Sequence, residues 1–316
     1  MSERIPAVLL LGGVDLATDR RYLRAAAKRD LTVLVVDEPA DLVGRWHGDD
    51  PVCAGDPAPV ATGDDPAPAA TAGLAATEST EIVDRAAAWA RRYDIRGVCP
   101  LHERYVEAAA LVADLFDLPS PGLRAARVCA SGYLQSRYLA AWRPRCDTVA
   151  PSGRAEIVAG WTRYPATVAP VGRAAATGAR LVRDAAELRA ALGAYPPNQR
   201  LAIEEQPPGR EYTIDSLSLR GEVRRLDVTP RHAPPSRLDA EDRRRLTDTH
   251  AAILARLAFD TGPVHAGYRQ VPGRPPTLTG IAIGHRCDAA ASSLGGDGVV
   301  EDVAIGLIVG EDVARR

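Results

Sequence analysis

Gly209-Arg210-Glu211-Tyr212-Thr213-Ile214-Asp215 opens a strand that runs to Leu219, turns at Arg220-Gly221 and returns from Glu222 to Val228. Ala202 to Glu205 precedes it as another strand. Asp239 to Ala258 follows as a long helix with Leu246, Ile253, Leu254 and Leu257 as its apolar residues. Val264 to Val271 and Thr277 to Ile283 then pair as a hairpin about Pro272-Gly273.

The N-terminal third has a different order. Ala7 to Leu11 is an apolar strand ending in Gly12-Gly13. A helix with Tyr22, Leu23 and Ala26 on one face follows, then a strand from Leu31 to Val36. Strand, glycine turn, helix, strand is the order of a parallel α/β sheet. Gly48 to Gly73, rich in Asp, Pro, Ala and Gly, is expected to be a flexible loop that buries little area. Helices are expected at Glu81 to Tyr93, Glu103 to Phe116 and Leu123 to Trp142, with a short strand at Gly97 to Cys99. Further on, Ala166 to Ala169 is a strand, Gly172 to Gly178 a small-residue loop, Ala185 to Leu192 a short helix and Glu301 to Val309 a last helix.

At 316 residues the chain suits two or three subdomains. A formal net charge of −2 gives no basic field, which argues against nucleic acid as a partner. No apolar run is long enough to span a bilayer, and the apolar stretch of MSERIPAVLLLGG is too short for a signal peptide. Cys53, Cys99, Cys129, Cys146 and Cys287 are scattered, without metal spacing. A cytoplasmic protein with reduced thiols is the expectation.

Six local motifs, in order, resemble the ATP-grasp superfamily of carboxylate–amine ligases. They are Glu103-Arg104-Tyr105 with Leu115-Phe116-Asp117-Leu118-Pro119; Pro165-Ala166-Thr167-Val168-Ala169-Pro170; Gly178 to Val182 with Ala186-Glu187-Leu188; Glu204-Glu205 with Gly209 to Asp215; His265-Ala266-Gly267-Tyr268-Arg269; and Thr279 to Asp288. The resemblance covers nearly the whole chain. It implies an α/β protein with a Rossmann-like (pre-ATP-grasp) domain over residues 1–125. An ATP-grasp domain of two α+β subdomains, 126–200 and 201–316, would follow.

In that family ATP lies between two small sheets, two lysines and a glycine loop hold the phosphates, and two carboxylates and an asparagine hold magnesium. Fixed cations are needed because phosphoryl transfer spreads negative charge that must be neutralised. Here the lysine positions align with Gly132 and Ala169. The metal positions align with Gly267, Gly280 and Ala282, and the arginine that stabilises the acyl-phosphate step aligns with Gly284. Lys28 is the only lysine in the chain. A coding bias toward Arg would exchange a surface lysine for arginine, but Gly and Ala are not substitutes for a phosphate-binding cation.

The resemblance therefore implies a degenerate, pseudo-ligase protein that does not turn over Mg-ATP and acts as a binding or partner subunit. Its partner would be an active ATP-grasp ligase or another copy of itself. Two alternatives stay open: an ATP-independent enzyme acting on a small amino or carboxylic acid in a widened cleft, and an active ligase. No metal or cofactor is expected, though residual ATP or ADP binding without magnesium is compatible with Glu204 and Glu211, at the family's adenine and ribose positions. Gly12, Gly13, His102 and Glu103 lie where the family meets its carboxylate substrate, while a tight turn and a helix cap are the plainer roles of these residues. His285, Cys287, Arg269 and His265 are the catalytic candidates. His285-Arg286-Cys287-Asp288 offers a base, a cation, a thiol and a carboxylate, although neighbours in sequence seldom have nucleophile–base geometry.

Overall fold

The computed structural model describes residues 4–12, 21–37, 72–75, 79–171, 178–231, 238–284 and 299–311. The first sheet contains β1 (Ile5–Leu11), β2 (Thr32–Asp37), β3 (Ala72–Ala75) and β4 (Tyr93–Pro100), all parallel, in the order β3-β2-β1-β4. Ala7 to Leu11 are buried on both faces, as expected of a parallel sheet covered by helices. With α1 (Arg21–Ala27), α2 (Ser79–Trp89) and α3 (Val106–Leu115), this is the expected Rossmann-like arrangement. β4 starts at Tyr93, ahead of the expected Gly97, because Tyr93 and Ile95 are buried and pair with Ile5 and Ala7. The segment expected to be a flexible loop lies outside the described residues except for 72–73, which belong to β3.

One long helix was expected over Leu123 to Trp142. Two short ones form, α4 (Leu123–Cys129) and α5 (Gly132–Tyr138). Ser131 breaks them: its backbone is extended, and its hydroxyl accepts a hydrogen bond from the Leu134 N–H at 3.3 Å. Serine side chains compete for backbone in this way and so favour helix starts over helix interiors.

The second sheet contains β5 (Cys146–Val149), β6 (Ala166–Pro170), β7 (Arg180–Val182) and β8 (Leu201–Glu205), antiparallel in the order β5-β8-β6-β7. Val149, Ala166, Val168, Val182, Leu201 and Ile203 form its covered face. Beneath them lie α6 (Arg154–Gly160) and α7 (Ala185–Gly193), through Val158, Leu188 and Leu192. Asp184 caps α7, accepting from the N–H groups of Ala186 and Glu187.

The third sheet contains β9 (Arg210–Leu219), β10 (Glu222–Pro230), β11 (Gly262–Gln270) and β12 (Thr277–Ile283), antiparallel in the order β10-β9-β11-β12. Tyr212, Ile214, Val264, Ala266 and Tyr268 are buried with Leu246, Ile253 and Leu257 of α8 (Ala240–Leu257). α4 joins the same core through Ala125 and Val128. Alternation along each strand leaves the odd-numbered residues of β9 and β11 on the other face.

The last helix, α9 (Val299–Ile308), lies against both the first and the third sheets. Ile305 and Ile308 pack with Val8, Leu10, Val33 and Val35 of the first sheet, while Val303 and Leu307 cover Leu217 and Leu219 of β9. Arg29 holds the helix through Asp302 at 2.9 Å and Glu311 at 2.8 Å. A Cβ added to Gly97 would lie 2.9 Å from both Ile308 Cγ1 and the Ile308 carbonyl oxygen. Gly97→Ala is therefore expected to cost about 2 kcal/mol, as overpacking against backbone does. A urea midpoint equal to that of the parent chain would show that α9 yields freely.

Candidate functional site

The exposed side of the third sheet is an array of short rows set by strand register. Asp227, Asp215, His265 and Ala282 face one another across β10, β9, β11 and β12. Thr229, Thr213, Gly267 and Gly280 form the next row, and Glu211 and Arg269 stand opposite each other in the one beyond. The shared face expected for His265, Gly267 and Arg269 is present, and its charged groups are partnered. His265 Nδ1 lies 2.8 Å from Asp215 Oδ1. Arg269 forms an ion pair with Glu211 and donates to the Gly209 carbonyl at 3.2 Å. The Thr229 hydroxyl donates to Asp227 at 3.0 Å.

The glycines in these rows have different reasons. β12 slips by one residue beside Gly267, and the slip carries Thr279 Oγ1 to 2.7 Å from where a Cβ at position 267 would sit. A Cβ at Gly280 or at Gly132 would meet nothing within 4 Å, so packing does not demand glycine at either. Gly284 has φ +99°, in the left-handed region, so its glycine follows from the backbone and says nothing about a lost arginine.

The free side of the second sheet carries Cys146, Glu204, Thr167 and Leu181 in one row, with Ala202 and Ala169 in the next. Glu204 faces a buried guanidinium that sequence reasoning missed. Arg143, only 5 % exposed, forms an ion pair with Glu204. It also donates to the Thr279 carbonyl on β12 at 2.7 Å and to Gln135 Oε1 at 3.3 Å. Gln135 in turn donates to the carbonyls of Cys129 and Ile281, each at 2.9 Å. Arg143 thus ties the second sheet to the third. In sequence it stands in Trp142-Arg143-Pro144-Arg145, one of many arginines, and no motif marks it. Burial pushes the Cys146 thiol up from its ordinary value, so this cysteine is a poor nucleophile near neutral pH.

At the carboxyl ends of the first sheet, the strand order reverses between β1 and β4, which is where open α/β sheets form a crevice. Gly12 and His102 meet there. Gly12 has φ +84°, and a Cβ on it would lie 2.7 Å from the Tyr105 ring and 3.2 Å from His102 Cβ. The capping role expected of Glu103 belongs to His102, whose Nδ1 accepts from the Arg104 N–H at 3.3 Å. Glu103 is exposed. Gly13, His285 and Cys287 lie outside the described residues.

These positions do not fit magnesium. The ion takes hard oxygen ligands, and the side chains at 267, 280 and 282 supply none. Among the described residues no group of three or more His, Cys, Asp or Glu side chains could hold a metal. Nor is any described helix long and apolar enough to cross a membrane.

Solved structures of other proteins are similar to this fold. An L-amino acid ligase from Bacillus licheniformis matches 98% of this chain and 75% of its own, with a TM-score of 0.65 at 16% identity. An N5-carboxyaminoimidazole ribonucleotide synthetase from Thermus thermophilus matches 96% of this chain and 78% of its own, with a TM-score of 0.64 at 18% identity. The chain has the ATP-grasp fold. The biotin carboxylase domain of a Hydrogenobacter thermophilus 2-oxoglutarate carboxylase, solved with MgADP and bicarbonate, matches 98% of this chain and 71% of its own, with a TM-score of 0.63 at 12% identity. Neither a family model nor a curated protein sequence matches the chain. At these identities the likeness carries the ATP-grasp architecture and leaves the activity to the residues.

Proposed function

We propose that this ATP-grasp protein does not turn over Mg-ATP and serves as a binding or partner subunit, beside an active ligase or as an assembly of its own copies. The observation that carries the reading is the row Thr213–Gly267–Gly280, where the sheet offers a metal no carboxylate or amide. Gly132 and Ala169 add no cation for a phosphate. Glu204 and Glu211, the carboxylates left from a nucleotide site, are engaged by Arg143 and Arg269. Any ATP or ADP that still binds would do so without magnesium.

The test is ADP release and calorimetry. With Mg-ATP and a panel of amino and carboxylic acids, ADP formation is expected to stay at background. Heats of ATP binding, if seen, should be the same in EDTA. ADP release above background, or tight binding that EDTA abolishes, would overturn the proposal. The partner role is checked by the mass of the purified complex: a species of this chain's mass alone, in the presence of an ATP-grasp ligase from the same cell, would remove it.

A further inference from the structure

We propose that Asp215 and His265 form a general-base pair that hydrolyses a small acyl ester without nucleotide. Two histidines of the third unit show the contrast. His250 is fully buried and uses both ring nitrogens, Nε2 at 2.8 Å from Ser216 Oγ and Nδ1 at 2.8 Å from Tyr268 OH. Every polar atom of that ring is spent on the core. His265 is half-buried on the free face, and among the described residues it bonds only through Nδ1, to Asp215. A carboxylate accepting at this distance takes the Nδ1 proton, and in the neutral imidazole that tautomer places the lone pair on Nε2.

The surroundings suit a small substrate. On the neighbouring strand His265 faces Ala282, and Gly280 stands two residues away with nothing within 4 Å of its Cβ position. The Thr279 hydroxyl sits over Gly267, the next residue on the same face, as a donor for a carbonyl oxygen. Among the described residues no hydroxyl or thiol is hydrogen-bonded to His265 as a protein nucleophile. Water is therefore the nucleophile. Its oxygen bonds to the acyl carbon while its proton passes to His265 Nε2. That proton then moves to the departing oxygen as the carbon–oxygen ester bond breaks. Asp215 stays ionised, holds the ring and stabilises the imidazolium between the two transfers. Only water is consumed, and neither metal nor phosphate takes part.

The experiment follows p-nitrophenolate release from p-nitrophenyl acetate by the full chain, with no nucleotide present. The parent protein is expected to be roughly 10²-fold faster than His265→Asn and than free imidazole at equal concentration, the usual size of a positioned base. Release should slow in heavy water, because a proton moves in the rate-limiting step. Asp215→Asn should lower the rate and displace the pH–rate profile, which a merely structural carboxylate would leave in place. His265→Gln, checked for folding by circular dichroism, stands in if the Asn variant does not fold. Equal rates for the parent and either folded His265 variant would overturn the proposal, as would a parent rate no higher than that of imidazole. So would an acetylated His265 with no solvent isotope effect. Because ATP is absent, failure here leaves the nucleotide reading untouched.

Discussion

Arg143→Met is expected to lower the stability of the chain by about 3 kcal/mol, the usual cost of removing one partner of a buried ion pair. The guanidinium is nearly inaccessible and serves Glu204, the Thr279 carbonyl and Gln135 at once. Its loss leaves the Glu204 carboxylate, 24% exposed, with the more distant Ser136 hydroxyl at 3.4 Å. The Thr279 carbonyl would lose a charge-assisted bond at the same time. Urea unfolding should show a lower midpoint with an unchanged slope. The double change Arg143→Met with Glu204→Met should recover part of the loss, because removing both charges avoids the orphaned one. If the single change left the midpoint in place, Arg143 would not be what ties the second sheet to the third.

Acid should destabilise the chain through His250. Burial pushes its pKa down to about 4, against a smaller opposing pull from the Asp215 charge. The unfolded value is about 6.5. A group depressed on folding contributes its full stability above the unfolded pKa and loses it as pH falls through the folded one. Between about pH 6.5 and pH 4 the unfolded chain binds a proton that the folded chain does not. The difference is on the order of 3 kcal/mol across that window, with no further loss from this group below it. His250→Phe should be less stable at pH 7, because Ser216 and Tyr268 lose a shared partner. It should also lose less stability than the parent chain on going to pH 4. Parallel stability curves for the two proteins would mean that the buried imidazole titrates normally.

Much of the architecture was legible in the residues because each sheet has a local signature. β12 occupies Thr277 to Ile283 as read, and α8 runs from Ala240 to Leu257 inside the expected Asp239 to Ala258. Apolar periodicity, turn residues and caps act over a few neighbours, so they appear in a linear string. β5 and α6 escaped. They are short, and β5 exists as a strand because it pairs with β8, some fifty residues away.

The site divides in the same way. The sequence alone determined which side chains exist at the positions where the ATP-grasp fold would carry phosphate and metal ligands: Gly132, Ala169, Gly267, Gly280 and Ala282. It also determined that His265, Gly267 and Arg269 share a face, since strand alternation is a property of the backbone. Tertiary structure decided which charges cancel. Arg143 reaches Glu204, Arg269 reaches Glu211, and His265 reaches Asp215 across separations of 61, 58 and 50 residues. It also set α9 between the first and third sheets and gave Gly284 a backbone reason for its glycine. Ion pairs and helix docking depend on distances between distant segments. Those distances are fixed only when the apolar faces of all three sheets are buried together.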